Sequence, residues 1–255
     1  MGTSGAYGGS GSATWSAAQQ AVSGLSPTPP GAAVQQAAHR IGDALQRQYG
    51  RARRGDYSPE RVLHRQSAGG TARSGGSSRS TGGGLSGRNT ARGLAVVGAG
   101  YSYLNGDQAG LDELGVGLRL QDLQDRAVHD QCQYILDRCL GAPGSLDDEV
   151  LRRASLEALK GLLASGPQAS PDAAVSAFLA SYVYQTALIE LTSAKAAKQL
   201  SVDQVLTQER NLKQWIEKQV KFSGVVDGPR LSPRALMARA DQFRNRALDI
   251  MRGLE

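Results

Sequence analysis

Residues 145–167 read SLDDEVLRRASLEALKGLLASGP, and their pattern decides the fold class. Ser145 is a natural N-cap, Val150, Ala154, Leu156, Leu159 and Leu163 recur at helical intervals, and Gly166-Pro167 stops the run. The same grammar extends in both directions. Upstream, Leu118, Leu120, Leu123, Val128, Cys132, Ile135, Leu136 and Cys139 predict one helix ending at Gly141-Ala-Pro-Gly144. Downstream, Ser170-Pro171 places a cap and an N1 proline before Val175, Phe178, Leu179, Tyr182, Val183, Leu188 and Leu191. Ser201-Val-Asp-Gln204 is a capping box opening a helix from Val205 to Phe222. Ser232-Pro233 opens the last, with Leu236, Met237, Phe243, Leu248 and Met251 on its stripe. Five helices with short connections predict an all-α bundle large enough for a core of its own.

The front of the chain has a different composition. Up to Gly93 it holds 19 of the 32 glycines, eleven arginines and no lysine, opposed only by Asp43, Asp56 and Glu60, a balance of +8. From Leu94 onward 18 basic residues face 20 acidic ones, a balance of −2. The expected division is a flexible Gly/Ser tail over 1–31, a short helix over 32–48, an Arg/Gly/Ser-rich linker over 49–93 and a helical bundle over 94–255. The helix rests on Val34, Ala37, Ala38, Ile41 and Leu45; Trp15 to Leu25 forms at most a short amphipathic piece before the prolines at 27–30.

No stretch approaches 18 consecutive apolar residues, which excludes a transmembrane helix. The start carries no basic and apolar export signal, and Ala6 stands where a myristoylation signal wants Ser or Thr. Two cysteines make no disulfide scaffold, so a reducing cytoplasm is the expected setting.

Chemistry is sparse. Val96-Val-Gly-Ala-Gly100 opens like a dinucleotide fingerprint, but Tyr103 stands at the third glycine and no βαβ unit follows; a short, closely packed small-residue helix over 94–104 fits better. Asp125, His129 and Cys132 lie at i, i+4 and i+7, yet no further histidine follows and Cys132 is on the apolar stripe, so a structural reading is preferred to a metal site. No Ser/His/Asp set, P-loop or paired-carboxylate motif occurs, and neither an enzyme nor a bound cofactor is expected. Arg47, Arg51, Arg53, Arg54, Arg61, Arg65, Arg73 and Arg79 are candidate contacts to a protein partner or to nucleic acid. Residues 60–93 contain no aromatic to stack on bases, which favours docking or a plain linker over nucleic-acid binding.

The start Met1-Gly-Thr-Ser4 is the remaining feature. Removal of Met1 exposes an unhindered glycine amine, and the first lysine of the chain is Lys160. An α-amine with a pKa of about 7.7–8.0 is roughly a tenth neutral at pH 7, whereas a lysine amine is neutral well under a thousandth of the time.

Met1-Gly-Thr-Ser4, the proline-punctuated segment after Trp15, the tract running into Gly93-Leu94 and the Gly144-Ser-Leu-Asp-Asp148…Arg152-Arg-Ala154 stretch together resemble the B component of the Qat anti-phage defence systems. The resemblance implies three companions: an ATPase (QatA), a QueC-like enzyme (QatC) and a TatD-like nuclease (QatD). It implies that the QueC-like enzyme conjugates a 7-deazaguanine to the glycine amine of Gly2, with Thr3 and Ser4 as the nearest recognised residues. The chain itself then carries no catalytic group. The plain tail between Ser4 and Trp15 leaves Gly5 and Gly8 as alternative mature ends. The competing reading is a nucleic-acid-binding or scaffold adaptor using the arginine tract.

Overall fold

The computed structural model describes residues 13–25, 29–50, 55–63, 84–195, 202–222 and 232–254, and among these all the regular structure is helical, without a strand. The helices are α1 (Ala13–Ser23), α2 (Gly31–Tyr49), α3 (Pro59–Val62), α4 (Gly87–Leu104), α5 (Gln108–Asp112), α6 (Gln121–Gln124), α7 (Val128–Leu140), α8 (Leu146–Ser165), α9 (Pro171–Lys195), α10 (Val202–Gln219), α11 (Pro233–Ala238) and α12 (Ala240–Met251). The all-α expectation is met.

The bundle is wound around α4, against which α7, α8, α9, α11 and α12 all pack. Glycine makes this possible. A Cβ on Gly93 would lie 2.0 Å from Cζ of Phe178, one on Gly98 2.8 Å from Cβ of Pro233, and one on Gly100 2.3 Å from Cδ1 of Leu159. The apparent fingerprint glycines are therefore contact points for α11 and α8 inside a helix. This helix starts at Gly87, so its first two turns overrun the expected boundary at residue 93. Ser86 caps it by accepting from the Asn89 amide, and Arg92 is buried rather than displayed on a linker.

At the front of the chain, the short amphipathic piece expected from Trp15 to Leu25 within the 1–31 tail is a helix: residues 13–23 form α1, and Trp15, Ala18 and Val22 are buried. The Trp15 indole N–H donates to Gln48 near the end of α2. The expected helix over 32–48 is α2, whose buried stripe is Val34, Ala37, Ala38, Ile41, Ala44 and Leu45. The arm α1–α2 lies against α9, α10 and α12, so it belongs to the same core as the bundle.

Two helices expected to be continuous are broken. The 118–140 run becomes α6 and α7, with Ala127 extended at ψ 151 between them. Gln131 is buried and its amide donates to the carbonyls of Leu123 (3.1 Å) and Arg126 (3.0 Å), replacing backbone partners lost at the break. The last run breaks at Arg239, which lets α11 lie on α4 and α12 on α2. Glu113 holds the start of α11, accepting from Ser232 Oγ at 2.6 Å and the Arg234 amide at 3.3 Å. Ser201 of the expected capping box lies outside the described residues.

Candidate functional site

The expected site residues divide by position. Gly2, Thr3 and Ser4, with the alternative ends Gly5 and Gly8, lie outside the described residues, as do Arg51, Arg53, Arg54, Arg65, Arg73 and Arg79. Arg47 is exposed in the last turn of α2. Arg61 is exposed and paired with Asp56 at 2.8 Å.

What is described is the base from which these segments leave. Arg244 of α12 is only 1% exposed. Its Nε donates to the Leu85 carbonyl at 2.6 Å, and its Nη2 to the carbonyls of Gly50 at 2.8 Å and Tyr49 at 3.2 Å. One guanidinium thus joins the end of α2 to the residue before the α4 cap. Burial lowers its pKa, but a guanidinium stays charged in any case, and the three carbonyls supply what water would have given it. One turn earlier, Asp241 accepts from the Gly55 amide at 2.9 Å and from the Tyr57 hydroxyl at 2.8 Å. Burial, followed by the Asp241 hydrogen bond and charge, pushes the Tyr57 phenol far above its ordinary value, so it is a fixed proton donor. The buried Tyr182 hydroxyl donates to the Gly84 carbonyl at 2.5 Å. Gly84 and Leu85 are therefore pinned from α9 and α12, and Gly50, Gly55 and Tyr57 from α12. Sequence reasoning missed this group; its only trace is the polar pair Asp241 and Arg244 on the buried face of the last helix.

A second buried arginine organises the bundle proper. Arg92 donates to Asp148 at 2.8 Å and to the Leu140 carbonyl at 2.9 Å, linking α4 to the end of α7 and the start of α8. Burial acts to raise the Asp148 pKa, but the hydrogen bonds from Arg92 and Ser145 and the Arg92 charge outweigh it and hold the carboxyl below its ordinary value. Arg152 donates to the Gly141 carbonyl at 2.6 Å and to Asp137 at 2.8 Å. The Asp148…Arg152 stretch is thus architectural.

An open cleft of about 560 Å³ lies between α8, α9 and α10, with Glu157, Asp172, Ser176, Glu217, Lys221 and Phe222 in its lining. Glu157 is tied to Lys213 and to the Ser181 hydroxyl, and these partners overcome the effect of burial to keep its pKa below the ordinary value. An ionised, paired carboxylate is poorly suited to general acid work. Asp125, His129 and Cys132 do not converge: Asp125 ends α6, while His129 is exposed and Cys132 buried on α7. Among the described residues no group of three His, Cys, Asp or Glu is placed to hold a metal ion. No helix among them is long and apolar enough to cross a membrane.

No curated protein matches the chain, and no solved structure does. A family model matches residues 67–225, from the arginine tract through α4–α10, which is more than half of the sequence. With that match over the α4-centred bundle, the chain belongs to the family described as Qat anti-phage system associated protein QatB.

Proposed function

We propose that the chain is a non-catalytic component of a Qat defence complex that binds the QueC-like partner and presents the amine of Gly2 for 7-deazaguanine conjugation. The observation that carries this reading is the absence of any lysine before Lys160, which leaves one α-amine as the acylatable nitrogen of the whole front half. The chemistry is acyl transfer: the neutral amine attacks a carboxyl carbon that the partner has activated with ATP. The adenylate leaves, the amine proton passes to solvent, and an amide remains. Thr3 and Ser4 are the residues nearest the bond formed.

The anchoring of α1 supports presentation over free diffusion. Trp15 is buried, so residues 2–12 alone supply the reach. At roughly 3.3–3.6 Å per residue the amine travels at most about 40 Å from the start of α1, and the partner's active site must lie within that distance. A Gly2→Trp substitution, which crowds the amine, is expected to abolish both the mass adduct and protection from phage. Protection at the wild-type level with Gly2→Trp would remove this amine from the mechanism.

A further inference from the structure

The family match begins at residue 67 and ends at residue 225, so it omits both the α1–α3 arm and the C-terminal helices α11–α12. These two omitted pieces hold each other. Along α2, the backbone of Met251 fits into the space left by Gly42, where a Cβ would meet its carbonyl carbon at 2.8 Å. Asp43 accepts from Arg252 at 3.0 Å, and the His39 ring lies against Gly253, whose backbone is in the left-handed region at φ +69. At the far end, Arg244 takes the Tyr49 and Gly50 carbonyls, and Asp241 takes Gly55 and Tyr57. α2 and the Gly55–Tyr57 stretch are thus gripped by α12 and the residues just after it, with α9 and α10 completing the seat of the arm.

The connector 64–83 is 20 residues long, with a reach of about 70 Å. On one side Asp241 holds Gly55 and Tyr57 and Arg244 holds Gly50, and on the other the same Arg244 guanidinium holds Leu85. We propose that residues 13–63 are a self-docking arm, seated on α9, α10 and α12 by the Arg244–Asp241 clasp, which stays bound when the connector is severed.

The experiment uses the full chain with the recognition sequence of a site-specific protease inserted between Gly75 and Gly76. After complete cutting, the two fragments should co-elute at the mass of the intact chain at low micromolar concentration. Elution of the front fragment by itself would overturn the proposal. Arg244→Ala strands three backbone carbonyls and should weaken fragment association about 10- to 100-fold after cutting. Before cutting, the arm should remain seated, because the connector holds it at an effective concentration of order millimolar. If Arg244→Ala fails to fold, Asp241→Asn and Tyr57→Phe probe the same clasp. Cut variants that bind as tightly as the cut parent would refute the role given to the clasp.

Discussion

At Gly93 two opposing effects compete. Alanine in a helix interior is favoured over glycine by about 1 kcal/mol. Here its Cβ would fall 2.0 Å from the ring of Phe178, which is fully buried and stacked on Tyr182 at 5.6 Å between centroids. Overpacking of this kind costs about 1–3 kcal/mol and prevails. Gly93→Ala is expected to lower Tm by about 4–8 °C, the shift for roughly 2 kcal/mol in a chain of this size. Gly161, on the exposed face of α8 with nothing within 4 Å of the place a methyl would take, isolates the other effect. Gly161→Ala should raise Tm by a few degrees, as measured in the same thermal melt. The Arg92–Asp148 pair supplies a pH signature. The Asp148 pKa is depressed in the fold, so its contribution is complete above the ordinary carboxylate value of 3.8 and is lost as pH falls below it. Asp148→Asn leaves Arg92 buried with a weaker partner and should cost about 2–3 kcal/mol at pH 7 in a denaturant titration. The gap between parent and variant should narrow as the pH drops below 3.8, and an unchanged gap would deny the ion pair its role.

At the scale of helices, periodicity and caps reported what was local. Ser145 accepts from the Asp148 amide as its position implies, Ser232 accepts from Ala235, and α8 and α9 follow the predicted runs. Leu156 is half-buried, because the buried face of α8 is carried instead by Leu151, Ser155 and Ala158 beside Leu159. The breaks at Ala127 and Arg239 were not legible. Neither carries a glycine or proline signal; at the first, Gln131 takes up the carbonyls of Leu123 and Arg126, and at the second, α11 is fixed at its head by Glu113, 119 residues from Ser232. Nor did composition reveal that Arg92, one arginine among eleven, faces inward, since its partner is 56 residues away. The α7 cysteines test the packing of this element. Burial pushes the Cys139 thiol up to about 12, and burial also raises Cys132 against a small opposing effect of Lys160. Neither thiol should react with an aromatic disulfide reagent at pH 8 in the folded chain, and both should react promptly in denaturant. Fast labelling of the native protein would mean that α7 does not bury this face.

For the whole molecule, the uneven composition marks a chemical difference between front and back, while helices from both share one core. The helix expected over 32–48 is α2, and the core it joins also takes in α1 and the first turns of α4, which the Gly/Ser/Arg-rich composition around them does not announce. The reason is that alanine-rich helices such as α1 bury little per residue and gain their stability from the surfaces they meet, which a single sequence does not display. What composition did isolate was a chemical asymmetry: one primary amine ahead of Lys160, carried on residues that precede an anchored helix. The proposed role as acceptor of a 7-deazaguanine rests on that asymmetry, and the intact mass of the protein tests it most directly. The protein is to be purified from cells carrying the complete Qat operon and from cells whose QueC-like enzyme is inactivated. The account predicts that the first preparation lacks Met1 and carries one added 7-deazaguanine acyl group on the terminal peptide, absent from the second. A terminal peptide differing only by the loss of Met1 in both preparations would contradict it.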